Sequence, residues 1–415
     1  MTTIFYETLP VAEMTFEGEW RLDYDRSWEA RRSAFPISLT MPLRSGTVGA
    51  DRLLPWLANL LPETHLAEIG QRLKVSPQDI VGLLGHIGRD TAGALSIGEP
   101  RKAGVNLEPI PDKVTLERIL NELPAKPFLV GERGVSMSLA GVQEKLPVFV
   151  DGDGTISIPV DGTPSTHIIK PDNARLAGSV ENEAFCLALA RACGLEAAEA
   201  SIGVAGKRRY LLVKRYDRFA DPQGEIRRLH QEDLCQLTGH FPLQKYERSS
   251  TGGGVTLKMM FDAVSDLVSP GERVKLLDAV IFNLLICNSD SHAKNYSILI
   301  GAGGSAKIAP LYDLMCAAVY RQVDQSLPQG IAERFIAADL GRRDWQAVAE
   351  EVGLSGASTV RRVGELSAVV ADACEDVTKR TSEIVGDPTR ILERVTHQIQ
   401  KRCRRIQRHL YVARS

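Results

Sequence analysis

The stretch NSDSHAKNYSIL (Asn288–Leu299) decides how the rest of the chain is read. It follows a long apolar run with helical character, from about Glu272 to Cys287, and it leads into the strand-like YSILI. Within it Asp290 and Asn295 stand five apart. Transfer of a phosphoryl group to a hydroxyl needs a carboxylate to accept the proton. It also needs an oxygen ligand to hold magnesium on the triphosphate. Asp290 suits the first task and Asn295 the second. About one hairpin later, APLYD supplies Asp313 as a further metal ligand.

Working back from this loop, HIIK ends a strand at Lys170, suited to pairing with the α- and β-phosphates. The next segment, ENEAFCLALARACGL, has apolar residues spaced three and four apart and a stop at Gly194. It reads as a helix carrying Glu181 and Glu183, either of which can hold Lys170. VKRYD (Val213–Asp217) sits where a hinge presents backbone groups to adenine. Lysine, acidic helix, hinge, Asp-x4-Asn and metal aspartate follow one another in the order found in kinases.

The composition sets outer limits. The chain has 415 residues, 44% hydrophobic and 25% charged, which calls for two or three subdomains rather than one core. The net charge of −2 excludes a global attraction to nucleic acid or anionic membranes. The start, MTTIFYETLP, lacks the pattern of a signal peptide, and no apolar run reaches the length of a membrane span. Seven cysteines without a CxxC pair, Cys186 and Cys193 among them, read as core thiols of a protein in the reducing cytoplasm.

Strands are expected near Phe16–Asp23 and Ala34–Met41, with a helix around Asp51–Leu61. KLPVFV and HIIK read as strands, as does YLLVKRYDRF, and the last 85 residues are almost wholly helical in pattern. Gly252–Gly254 lacks the flanking strand and Lys-Ser/Thr of a phosphate loop and reads as surface loop. His292 has no second histidine or cysteine suitably placed, so it reads as a hydrogen-bonding member of the loop rather than a metal ligand. Arg89 and Asp90 read as a structural ion pair or turn. The basic cluster from Lys401 to Arg408 reads as a solvated helix face.

SLAGVQEK (Ser138–Lys145), THIIKP, ENE, LHQEDLCQ, NSDSHAKN and LYD together resemble the HipA family of toxin kinases, as do LANLLPE (Leu57–Glu63) and IGRDTAGAL (Ile87–Leu95). The resemblance is specific through Leu314. Beyond it the chain is similar only in being helical. It implies an α+β, two-lobed, protein-kinase-like fold with a β-containing amino-terminal subdomain and an all-helical carboxyl-terminal one. The corresponding ranges are an amino-terminal subdomain over 1–100, a connection over 101–130, a catalytic core over 131–325 and a helical subdomain over 326–415.

The resemblance also implies an ATP- and Mg2+-dependent serine/threonine protein kinase, the toxin of a toxin–antitoxin pair. Asp290 would then be the proton acceptor, and Asn295 and Asp313 would hold the metal. Lys170 would contact the phosphates, and Ala140, Gly141, Val142, Gln143, Glu144 and Lys145 would cover them. Lys214, Arg215 and Tyr216 would form the adenine hinge. His292, Ala293, Lys294, Asn295 and Tyr312 would line the nucleotide, and Ser138 would be an autophosphorylation site. The implied partners are a protein substrate such as an aminoacyl-tRNA synthetase, a helix-turn-helix antitoxin, and operator DNA reached through that antitoxin, with no membrane. The rival readings are a small-molecule phosphotransferase of the aminoglycoside kinase sort and a catalytically idle co-repressor.

Overall fold

The computed structural model describes residues 1–249, 252–385 and 390–411. Two compact units are built from interleaved segments: residues 1–171, 203–242 and 298–307 form the first, and 172–202, 243–297 and 308–415 the second.

The first unit holds an antiparallel five-stranded sheet in the order Val48–Gly49, Trp20–Tyr24, Leu9–Phe16, Thr2–Tyr6, Leu95–Ile97. The expected strand near Phe16–Asp23 is thus a hairpin that turns at Glu17–Glu19, where Gly18 takes a φ of 82°. Ala34–Met41 forms no strand and makes only an isolated bridge between Ser38 and Met41. Pro36 at its centre and a Tyr24 hydroxyl that takes the Ile37 N–H hold it as a packed loop. The helix expected at Asp51–Leu61 spans Ala50–Ala58.

A second antiparallel sheet of this unit sets Arg208–Lys214, His167–Pro171, Leu146–Val150, Ile156–Pro159 and Leu107–Pro109 side by side. Its register pairs Ile169 with Leu146 on one side and Leu212 on the other. The run YLLVKRYDRF does not continue as one strand. It breaks after Lys214, because the Arg215 side chain is drawn into the unit's interior.

The second unit is helical. Helix Pro270–Leu285 starts at Ser269, whose hydroxyl accepts from Glu272 N–H at 3.4 Å, with Pro270 in the first turn. Its buried run from Leu276 to Leu285 anchors it in the core. Cys287, at φ 59°, then turns the chain into the NSDSHAKN loop. Helix Ser179–Ala192 ends as its glycine foretells: Gly194 has φ 78°, and Leu195 N–H reaches back to Ala190 O at 3.0 Å. Helices Leu257–Val264, Arg342–Glu351, Gly356–Val385 and Arg390–Tyr411 belong to the same unit. In the last, Ile391, Val395, Ile399, Cys403, Ile406 and Leu410 form a buried stripe at helical spacing. Lys401, Arg404, Arg405 and Arg408 lie on its exposed face, as the sequence suggested. No described helix is long and apolar enough to cross a membrane.

Candidate active site

The Asp290 loop is built by side-chain amides. Asn283, inside the apolar helix, accepts from Asn288 Nδ2 at 2.9 Å. Asn288 in turn accepts from Asp290 N–H at 3.1 Å and donates to the Asp313 carbonyl at 3.2 Å. Asn295 Nδ2 donates to the Asp290 carbonyl at 2.8 Å. That bond engages the amide nitrogen, so any ligand held by this side chain would meet the amide oxygen. Tyr312 donates its hydroxyl to Lys294 O at 2.6 Å and accepts from Ser297 Oγ at 2.6 Å. Ala309 N–H closes on Ser297 O at 2.9 Å, so the chain returns to the loop just before Asp313. Asp313 has φ 56°, a left-handed backbone that costs a non-glycine residue roughly 1–2 kcal/mol.

Asp290 itself is about 65% exposed, whereas Ala293, Lys294 and Asn295 are buried. The Tyr246 phenol donates a hydrogen bond to its Oδ1. The Tyr246 ring stands edge-on to His292 with centroids 5.0 Å apart. Lys245 fastens this segment to the loop: its carbonyl accepts from Ala293 N–H at 3.2 Å and from Gln329 Nε2 at 3.2 Å. His292 is 5% exposed, and burial with the neighbouring Lys245 and Lys294 charges drives its imidazole well below the usual range, against the pull of Asp313. Its Nε2 lies 3.9 Å from the Asp290 carboxylate. Among the described residues no cluster of three or more His, Cys, Asp or Glu could hold a metal ion. Asn295 and Asp313 nevertheless supply the oxygen donors that magnesium prefers, and the same amide network ties both to the loop.

The other candidates lie in the first unit, and one sheet orders them. Lys170 is buried on strand His167–Pro171. The strand beside it, Leu146–Val150, continues directly from the Ala140–Lys145 loop, and the strand on its other side, Arg208–Lys214, runs into the hinge. The loop rests on the end of LANLLPE and the residue after it: Glu63 N–H donates to Gly141 O at 3.3 Å, and Thr64 Oγ1 to Val142 O at 3.4 Å. Lys145 donates to Ala140 O, and Gly141 has φ 110°, where a Cβ would collide with the Lys145 amino group. Ser138 is fully buried, donating its hydroxyl to Leu60 O at 2.7 Å and its N–H to Asp90 O at 3.0 Å. A phosphate acceptor at Ser138 therefore needs this segment to leave its seat.

The Arg215 side chain is turned into the interior of the first unit. Its guanidinium donates to Asp217 at 2.7 Å, Ser165 Oγ at 3.0 Å and Thr91 O at 2.8 Å, and its N–H is taken by Thr166 O at 2.9 Å. Only its carbonyl is left for a ligand. Asp90, Asp217, Arg215, Arg218 and Arg228 form one buried ionic cluster. Burial would raise the Asp90 carboxyl, but Arg218, Arg215 and Arg228 hold it well below the carboxylate range. Arg89 and Asp90, read as a structural ion pair or turn, are both in ion pairs but not with each other: Arg89 faces Glu99 and Asp161. The motif IGRDTAGAL is thus the wall of a structural charge cluster.

Asn283, Asn288, Lys245 and Tyr246 were not legible as site residues. An asparagine inside an apolar helix was the one available signal. Tyr246 carries none, since 44 positions separate it from Asp290.

The sequence profile of the HipA-like C-terminal domain matches residues 137–380, and that of the HipA N-terminal domain matches residues 2–98. The chain is 38% identical to the candidate kinase Y4mE of Sinorhizobium fredii, with 90% of each chain covered. It is 29% identical to the serine/threonine-protein kinase toxin HipA of Shewanella oneidensis, over 96% of this chain and 94% of the relative. A solved structure of Shewanella oneidensis HipA with HipB and operator DNA matches at a TM-score of 0.82 and 26% identity, covering 98% of this chain and 97% of that one. The fold is α+β with a helical carboxyl-terminal region, and the chain belongs to the HipA family of serine/threonine protein kinase toxins.

Proposed function

We propose that the chain transfers the γ-phosphate of ATP to a serine or threonine hydroxyl of a protein, with Asp290 accepting the hydroxyl proton. The observation that carries this reading is the position of Asp290: exposed, hydrogen-bonded by Tyr246, and set on a loop whose backbone is fixed by Asn288 and Asn295. A carboxylate held in this way can meet an incoming hydroxyl without first reorganising. Asn295 and Asp313 would hold Mg2+, which neutralises charge on the triphosphate. His292, Ala293, Lys294 and Tyr312 would line the nucleotide. Lys170 would contact the phosphates, and Ala140–Lys145 would cover them. The backbone of Lys214–Tyr216 would meet the adenine.

Ser138 is the proposed autophosphorylation site. Phosphate there adds nearly two negative charges and cannot re-enter the seat against Leu60, so the modified loop stays out and nucleotide binding is lost. A translation component such as an aminoacyl-tRNA synthetase is the proposed target. A helix-turn-helix antitoxin is the proposed restraint and the route to operator DNA.

The test is Asp290→Asn. Phosphoryl transfer to protein is expected to fall about a hundredfold or more while ATP binding persists. Near-normal turnover would reject the assignment. Phosphoproteomics of cells expressing the active enzyme against this variant would identify the target.

A further inference from the structure

Away from the Asp290 loop, the second unit has a surface cavity of about 500 Å³ lined by Arg175, Arg321 and Arg394 together with Val319, Tyr320 and Gln322. Three segments meet there. Arg175 lies in the loop before helix Ser179–Ala192, Val319–Gln322 begin six residues after Asp313, and Arg394 projects from helix Arg390–Tyr411. The walls are held from within. Gln322 Nε2 donates to Arg175 O at 2.8 Å, Arg394 donates to Val319 O, and the Tyr320 hydroxyl accepts from Asn182 Nδ2 at 3.3 Å.

The charges are what sets this cavity apart. Among the described residues, none of the three guanidinium groups pairs with a carboxylate, and no acidic side chain lines the wall. Some arginines of the same unit do find acids: Arg362 meets Asp278 at 2.6 Å, Arg334 meets Asp344 at 2.7 Å, and Arg405 meets Asp339 at 3.3 Å. Three like charges on one concave wall repel one another, and an oxyanion placed among them relieves that repulsion. Guanidinium forks match phosphate oxygens in pairs, which a lysine cluster would not do. The cavity is several times larger than a phosphate ion, and Val319, Ala177 and the Tyr320 ring leave apolar wall beside the cations.

We propose that this cavity is a binding site for a phosphate monoester, with Arg175, Arg321 and Arg394 taking the phosphate and the apolar wall taking its carbon part. The chemistry is shared by inorganic phosphate and by a phosphorylated serine in a polypeptide. Because Val319–Gln322 continue directly from the Asp313 segment, an occupied site fixes the chain that follows the proposed metal ligand. The assignment stands on the cavity alone and does not depend on the roles proposed for Asp290 or Asp313.

The experiment is calorimetric titration of the full chain at physiological ionic strength with three probes: inorganic phosphate, a short phosphoseryl peptide, and the same peptide unphosphorylated. Saturable binding of at least one phosphate-bearing probe is expected, with none for the unphosphorylated peptide. The tighter of the two identifies the source. Arg175→Ala and Arg321→Ala, both at exposed positions, are each expected to weaken binding about tenfold with the melting temperature held. Arg321→Lys, which keeps the charge and loses the fork, is expected to fall between. The proposal is overturned if neither phosphate-bearing probe saturates, or if all three variants bind as the parent does.

Discussion

At the residue scale, the contact with most consequence is the one between Tyr246 and Asp290. An exposed carboxylate on a short loop samples several rotamers, and the phenol selects one of them. Lys245 and Gln329 hold the Tyr246 segment in place, so the bond is supported from behind. Tyr246→Phe keeps the ring against His292 and removes only the donor. A hydrogen bond to a charged group contributes about 1.5–3 kcal/mol, of which positioning uses a part. Phosphoryl transfer in Tyr246→Phe is expected to drop roughly five- to twentyfold in kcat, with little change in KM for ATP. Steady-state kinetics on a protein acceptor measure this, and an unchanged kcat would remove Tyr246 from the site.

At the element scale, strand His230–Asp233 carries two buried titrating groups of opposite effect. His230 donates its Nε2–H to Ile37 O at 2.8 Å and stacks on Phe35, and burial pushes its imidazole down to about 4. Glu232 accepts from Leu39 N–H at 2.9 Å, and burial pushes its carboxyl up to about 7. Below the ordinary histidine value of about 6.5 the unfolded chain binds the His230 proton and the folded chain does not. The histidine contribution therefore rises with pH from about 4 to 6.5. Above about 4.5 the unfolded glutamate has lost its proton while the folded one keeps it. The glutamate contribution accordingly falls as pH rises to about 7. Each swing is at most roughly 3 kcal/mol, so the two largely cancel between pH 5 and 6.5. Glu232→Gln leaves only the histidine trend. Relative to the parent, this variant is expected to gain up to roughly 3 kcal/mol between pH 5 and pH 8 in urea denaturation. A difference that does not vary with pH would contradict the assignment.

At the scale of the whole molecule, charge decides more than shape. Fifty basic and fifty-two acidic residues leave no net attraction to a polyanion. The basic cluster near the carboxyl end is dispersed along one exposed helix face, and part of it is already engaged: Arg405 meets Asp339 at 3.3 Å, and Arg402 donates to Leu284 O at 3.3 Å. The purified chain alone is therefore expected to leave duplex DNA unshifted in a gel at physiological salt. Any retardation at low salt should vanish steeply as salt is added. Tight, sequence-selective retardation by the chain alone would turn that helix face into a recognition element.

What the sequence determined by itself was local. The apolar run marks helix Pro270–Leu285, expected from about Glu272 to Cys287, the spacing and Gly194 specify helix Ser179–Ala192, and β-branched density marks the strands that carry Lys170 and its neighbours. These follow from backbone propensity and periodicity, which act over a few residues. The order of lysine, acid helix and Asp-x4-Asn was legible for the same reason. Only the tertiary structure decided what long-range side chains do. Arg215 closes a cluster with Asp90 from 125 positions away in sequence, Ser138 hides its hydroxyl against Leu60, and Tyr246 reaches Asp290. Ala34–Met41 has a strand's composition and yet packs as a loop. Such outcomes depend on which buried polar group finds a partner once the chain has folded, and no spacing along the sequence encodes that choice.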